Sequence, residues 1–183
     1  GYKSLGFLGG MAVPAVQRYG YGFVQGVDAA AKEMGLSDVK VNYVYGGQFS
    51  GDADITAAMD TWYKGGTKVV FACGGGIWTS AAEAADKHDG KLIGVDVDQS
   101  FSSDTVITSA LKGIGEAAYL ALTAAYDGTW AENYGNQCVT MGAAQGAVGL
   151  PVDTWSLENW SVEEYEDMFQ KIVSGEITVE TTR

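Results

Sequence analysis

Apolar and polar positions along the chain follow two alternating periods, and each change of period marks an element. Residues 3–9 are a short apolar run of the kind a buried strand makes, and Pro14 stands at the first turn of a helical stretch reaching about residue 34. Within that stretch Val13, Val16, Tyr19, Phe23, Val27 and Ala30 recur at spacings of three and four, which places them on one helical face. Gly35 is positioned to end the helix, and residues 39–45 alternate as a second strand does. The glycine-bearing stretch 46–52 leads into a helical pattern over 53–63, closed by Gly65 and Gly66 before the β-branched strand 69–73.

The unit is clearest over 68–80, where an apolar strand runs into Gly74, Gly75 and Gly76 and then Ile77, Trp78, Thr79 and Ser80. Three glycines let backbone approach a ligand closely, and Thr79-Ser80 is expected to cap the Ala-rich helix over 79–87. Strands at 91–95 and 105–110 and a helix over 113–126 continue the alternation. From residue 136 the rhythm weakens. Residues 138–142 are strand-like, and the Gly/Ala-rich stretch to Leu150 is compatible with a strand, a hinge or a linker. Ser161 with Glu163 and Glu164 signals a helix over 162–173, which Gly175 ends before a strand-like 177–179. This alternation predicts an α/β fold: a three-layer, doubly wound, mostly parallel sheet with helices on both faces and right-handed crossovers.

A chain of 183 residues with 46% hydrophobic content is long enough for one substantial core. Its formal charge of −12 leaves no basic stripe for phosphates, so nucleic acid and anionic membrane surfaces are excluded as expected partners. There is no run of about 18 apolar residues of the kind that spans a bilayer. Gly1 is followed directly by a strand-like segment, so the sequence reads as a fragment whose targeting segment lies upstream. Cys73 ends one apolar strand and Cys138 begins another, without zinc-type spacing; both are expected to be small buried hydrophobes, and spacing does not reveal a disulfide.

In an open α/β sheet, ligands bind beyond the carboxyl ends of the strands, so the turns there hold the candidate chemistry. Five qualify: 9–11, 47–50, 74–78, 96–99 and the 109–112 segment after the fifth strand. They carry glycines, two aromatics, carboxylates, amides, hydroxyls and Lys112. A flat aromatic stacks on a base or sugar, and a carboxylate beside a lysine binds vicinal hydroxyls. Each residue also has a structural role open to it: Asp96 and Asp98 as turn or cap residues, Phe49 and Trp78 as lid or core, Lys112 as a solvated helix-start lysine. His88, the one histidine, lies in a polar helix end and reads as a solvated surface residue. There is no GxGxxG after the first strand, no GxxxxGK[ST] and no nucleophile elbow, and no cofactor, metal or catalytic residue is expected.

Taken in order, the segments 6–11, 21–26, 45–50 with Asp52, 70–76, 93–99, 106–112 and 172–179 resemble the second, carboxyl-terminal lobe of the basic membrane protein family, lipoproteins that bind purine nucleosides for ABC transporters. The resemblance implies a lobe of the periplasmic-binding-protein type I (flavodoxin-like) architecture, an extracytoplasmic location with a lipid anchor outside this chain, a permease partner, and no catalysis. It implies that Phe49 or Trp78 stacks on the base while Asp96 and Lys112 hold the ribose, with Gly10, Met11, Gly75 and Gly76 completing the ligand-binding set. It implies residues 1–150 as the ligand-binding lobe and 151–183 as a helix and short strand packing on it or toward a first lobe this chain lacks. Two other readings stand beside it: a lobe for a sugar or other small polar solute, and a flavodoxin-like enzyme acting on nucleosides. A third, a regulatory effector domain, would need a DNA-binding segment upstream.

Overall fold

The computed structural model describes residues 2–181, and Gly1 lies outside them. Its strands are β1 (Ser4–Gly9), β2 (Lys40–Tyr45), β3 (Val69–Cys73), β4 (Lys91–Asp96), β5 (Val106–Lys112) and β6 (Val148–Gly149). Its helices are α1 (Pro14–Glu33), α2 (Ala53–Lys64), α3 (Trp78–Lys87), α4 (Ile114–Tyr126), α5 (Trp130–Asn133) and α6 (Val162–Val173). The sheet order is β2-β1-β3-β4-β5-β6, with β1 to β5 parallel and β6 antiparallel to β5. The chain therefore winds outward one way from β1 to β2 and the other way from β3, and the point of reversal lies between β1 and β3.

Side chains alternate across the pleat and divide the core into two layers. Leu8, Val70, Ala72, Leu92 and Val106 pack with Ile55, Met59 and Tyr63 of α2 and Ala81, Ala84 and Ala85 of α3. On the other face Phe7, Phe71, Cys73 and Val95 meet Val13, Val16, Tyr19 and Phe23 from the first helical stripe. Of that stripe Ala30 is exposed, because the end of α1 runs past the sheet. Gly20 lets α1 sit directly on the strands, since a Cβ there would come within 2.7 Å of the Phe7 ring.

Local chemistry places the helix ends. Asp52 caps α2 by accepting from Ile55 N–H at 2.8 Å, and Gly35 takes a φ of +66° after α1. Ser161 and Glu164 form the reciprocal capping box that starts α6. The expected cap of α3 is not formed. That helix begins at Trp78, the Thr79 hydroxyl donates back to Gly76 O, and Ser80 instead bonds both backbone groups of Asp52, tying α3 to the start of α2.

Other expectations are corrected in the second half of the chain. Residues 138–142 form no strand because no sheet edge lies beside them, and Cys138 is exposed rather than buried. The 143–150 stretch resolves into a single 3-10 turn and the two-residue β6. The 177–179 segment pairs with no strand; it lies along α1, with Gln25 exchanging two hydrogen bonds with the backbone of Glu180. The short α5 has no counterpart in the sequence pattern. Residues 109–112 lie inside β5 rather than in a turn.

Only residues 97–105 join the parallel strands β4 and β5, with no helix between. Such a short link closes because Gln99 folds back beneath it: its side chain accepts from Val95 N–H and its own N–H donates to Ser109 Oγ, both at 3.0 Å. The carboxyl-terminal segment then straps this link. Thr154 donates to Asp98 at 2.7 Å, Ser156 to Ile107 O, and Trp155, Trp160, Tyr165 and Phe169 form one aromatic cluster.

Met59, fully buried between α2, α3 and the sheet, is expected to lose about 2–5 kcal/mol on replacement by Ala, whereas Tyr126→Ala at an 89% exposed position stays within about 0.5 kcal/mol. Urea unfolding of both variants checks this. The two thiols differ in the same way. Both are free, but burial, with the Asp96 carboxylate adding to it, pushes Cys73 up to about 12, so it stays protonated at pH 8. Ellman's reagent at that pH is expected to label the exposed Cys138 within minutes and to reach Cys73 only after denaturation. Equal rates at both would contradict the burial of the β3 end.

Candidate functional site

The carboxyl ends of β1, β2 and β3 are held in one assembly by backbone hydrogen bonds. Gly10 N–H donates to Cys73 O at 2.8 Å, Gly46 N–H to Gly9 O at 2.8 Å, and Gly47 N–H to Gly10 O at 2.9 Å. The turn after β2 therefore folds over the ends of its neighbours, which lie at the point where the strand order reverses. Asp52 anchors this turn from beyond, with Gln48 donating to its carboxylate.

This folding carries Phe49 onto the glycines. Its ring lies against Gly10 and Gly74, its Cβ and carbonyl against Gly75, and Gly76 N–H donates to its carbonyl at 2.7 Å. Phe49 is 41% exposed as a residue, which leaves part of its apolar side chain open to a ligand. Met11, also 41% exposed, follows Gly10 directly. In the 3-10 turn Gly75–Ile77 that precedes α3, two donors are already occupied, Gly76 N–H by Phe49 O and Ile77 N–H by Gly74 O. These N–H groups are thus not free to cradle a phosphate as glycine-rich loops do.

Trp78 takes a different place. It is the first residue of α3 and packs, half-buried, against the helix layer formed with α2. Of the two aromatics in neighbouring turns, Phe49 is the one that lies over the strand ends.

Asp96 ends β4 with a φ of +69°, in the left-handed region that a non-glycine residue seldom adopts. Such backbone strain is found at sites where a side chain must be aimed. Its carboxylate lies 3.8 Å from Lys112 Nζ at the end of β5, both side chains being nearly half exposed. An exposed pair at that distance contributes little to stability, so both groups keep most of their hydrogen-bonding capacity for a third partner. Asp96 is near enough to the core face to act on Tyr19, whose hydroxyl is pushed up to about 12 by burial with the carboxylate adding to it, and which reaches Leu111 O at 3.4 Å. Tyr19 reads in the sequence as one more apolar position of the α1 stripe, and no pattern there signals that its hydroxyl reaches the Asp96 end of the sheet.

Asp98, two residues on, is a turn residue. It accepts from Ser100 N–H and from Thr154, and although partial burial pushes its pKa upward, these bonds carry it below the ordinary carboxylate value. A groove of about 910 Å³ opens beside Asp96 and Lys112, bounded by Leu111, Val148, Leu150 and Phe169. A second, of about 860 Å³, lies away from the strand ends between α2 and α3, where Lys87 is paired with Glu83 and His88 with Asp60 at 2.8 Å. That bond leaves His88 partly buried at the end of α3 rather than fully solvated. Among the described residues no group of three or more His, Cys, Asp or Glu could hold a metal ion, and no helix is long and apolar enough to cross a membrane.

Comparisons with known proteins bear on the family and the fold. Residues 3–183 match the family model described as ABC transporter substrate-binding protein, PnrA-like. The chain is 36% identical over 184 residues to basic membrane protein B of Borreliella burgdorferi, covering 96% of this chain and 49% of that protein. It is 29% identical over 199 residues to the ABC transporter nucleoside-binding protein BmpA of Lactococcus lactis, covering 97% of this chain and 53% of that one. The chain thus spans about half the length of the curated relatives it matches. Among solved structures, an ABC transporter solute-binding protein from Aeropyrum pernix superposes with a TM-score of 0.75 at 23% identity, over 98% of this chain and 58% of that one, a likeness of fold. A transcriptional activator of the comK gene from Bacillus halodurans superposes at 0.67 with 16% identity, over 95% of this chain and 56% of that one, so the same fold also occurs in regulatory proteins. On the match across residues 3–183, this chain belongs to the family of PnrA-like ABC transporter substrate-binding proteins.

Proposed function

We propose that this chain is the second ligand-binding lobe of an extracytoplasmic solute-binding protein that takes up a purine nucleoside and delivers it to an ABC transporter permease. The observation that carries the reading is the partly exposed Phe49 at the point of strand reversal, with the Asp96 and Lys112 pair on the neighbouring strands β4 and β5 at the same carboxyl end of the sheet. An aromatic face for a base and a carboxylate with an ammonium for ribose hydroxyls match the two halves of a nucleoside. The occupied Gly76 and Ile77 donors in the glycine turn before α3 favour a nucleoside over a nucleotide. Met11 and Gly76 flank the base end, Gly10 and Gly75 lie beneath and beside Phe49, and Trp78 supports the helix layer from behind. The site does its work by recognition, without a catalytic residue, metal or cofactor, and a lipid anchor outside this chain would hold the protein at the membrane.

A single lobe supplies one side of such a site. Segment 114–147 supports the existence of another: Ile114, Tyr119, Leu122, Tyr126 and Trp130 are exposed, and Ala124 is the one buried residue of α4. An apolar surface on this scale is the mark of a docking face, and we assign it to the first lobe of the same protein. Beyond residue 150, in contrast, Thr154, Ser156 and Tyr165 hydrogen-bond to Asp98, Ile107 and Leu150. Closure of two lobes excludes water and adds the opposing contacts, so this chain alone is expected to bind weakly.

The test is a titration of the isotope-labelled chain with inosine, guanosine, adenosine and ribose, followed by amide shifts. Saturable shifts at residues 9–11, 47–50, 74–78, 96 and 112 with purine nucleosides, at dissociation constants weaker than micromolar, are expected. Asp96→Ala should weaken them roughly tenfold or more, the loss of a hydrogen bond to a charged group. Equal shifts with ribose alone would move the assignment to a sugar, and release of hypoxanthine from inosine that Asp96→Ala abolishes would move it to an enzyme.

A further inference from the structure

Three glycines in the two turns around Phe49 would each place a Cβ against that one residue. At Gly10 an added Cβ would overlap Phe49 Cδ1 and lie 2.7 Å from Cε1; at Gly74 it would come within 3.0 Å of Cδ1; at Gly75 it would meet Phe49 O at 2.9 Å and Cβ at 3.2 Å. The ring occupies the volume that a side chain at Gly10 would fill and shares that at Gly74 with the Gly10 backbone at 2.9 Å, while Gly75 lies against the Cβ and carbonyl of Phe49. The glycines next to them behave differently: Gly47 has open space, and Gly76 meets only Phe49 O, at 3.5 Å. Gly9 and Gly46 are also tight, but against the Tyr45 ring and Ile77 at 2.6 Å, so contact with Phe49 belongs to Gly10, Gly74 and Gly75 with a looser approach from Gly76.

We infer that Gly10, Gly74 and Gly75 are positioning residues that form a seat for Phe49, fixing the height and tilt of the aromatic face that a planar base stacks on. The role first suggested by the sequence, glycines that admit a ligand to the backbone, is replaced by glycines that admit the protein's own ring. Two of the three also hold positive φ, +148° at Gly74 and +52° at Gly75, so alanine there would strain the backbone as well as crowd the ring. Gly10 has no such angle, and alanine at Gly10 tests space alone, apart from Gln48 O at 3.0 Å, which must yield slightly. A seated ring is preorganised. A ligand that stacks on it does not have to order it first, which favours rigid planar ligands over flexible ones. The ligand side of this inference rests on the nucleoside reading above; the seat itself does not.

The experiment is a double-mutant cycle on the 183-residue chain with wild type, Gly10→Ala, Phe49→Ala and the double variant, and with Gly26→Ala, which meets nothing within 4 Å, as control. Amide-shift titrations with inosine and with ribose give affinities, and thermal unfolding gives stability. Phe49→Ala is expected to weaken inosine roughly tenfold, the usual loss of one base–aromatic stack. Gly10→Ala should weaken inosine at least about threefold by tilting the ring, with ribose changed less than about twofold. In the Phe49→Ala background, Gly10→Ala should cost nothing further. Its thermal penalty, roughly 4 °C or more from overpacking, should largely vanish there as well. Wild-type inosine affinity in Gly10→Ala, or the same loss with and without the ring, would overturn the inference. If wild type binds no nucleoside, the functional reading fails, and the thermal cycle still decides the seat: recovery in the double variant upholds it and an additive loss removes it.

Discussion

β3 is buried on both faces along its whole length, and every other part of the lobe is arranged by that constraint. A strand sealed on both sides needs an apolar residue at each position, supplied by Val69, Val70, Phe71, Ala72 and Cys73, and a helix layer above and below. α1 supplies one layer and α2 with α3 the other. Because β3 lies beside β1 in the middle of the order, the connections leave it in opposite directions, and their turns meet over the ends of these two strands. The crevice there follows from the winding and does not depend on what binds in it.

That crevice combines two solutions to one problem. Strand ends packed this closely leave little volume for side chains, and the volume freed by glycines there is taken by Phe49 at Gly10, Gly74 and Gly75 and by Tyr45 and Ile77 at Gly9 and Gly46. The Asp96 and Lys112 pair is built on β4 and β5, where Asp96 has a left-handed backbone at the start of a short link and Gln99 is spent as an internal tether. Two aspartates two residues apart thereby take unlike roles. Asp98 is saturated by Ser100 and Thr154, while Asp96 faces one lysine at 3.8 Å and retains capacity for a ligand.

The lobe is asymmetric in how firmly it is packed. Residues through β5 and the strap from Thr154 to α6 share hydrogen bonds and aromatic contacts with the sheet. The intervening 114–147 segment contributes little to that core, although α4 is as apolar as a core helix. A helix of this kind gains its stability from a surface it covers, and the sheet described here does not provide one.

Periodicity alone determined the existence and order of the elements from β1 to β5, though not the end of β5, where 109–112 read as a turn, because each of these segments buries a face whose spacing is written in its own residues. The Ser161 capping box and the ends at Gly35 and Gly65 were legible for the same reason: their partners lie within three or four positions. What failed were assignments that needed a distant neighbour. Residues 138–142 and 177–179 have strand-like composition but no adjoining edge to pair with, Ser80 turned from capping its own helix to holding Asp52, and Cys138 found no core. The candidate residues Phe49, Trp78, Asp96 and Lys112 were visible as types in turns, yet the sequence left the two aromatics equivalent. Only the tertiary structure separated them, since a ring's surroundings depend on glycines some 25 to 40 positions away in the chain, brought beneath Phe49 by the pairing of β1 with β2 and β3.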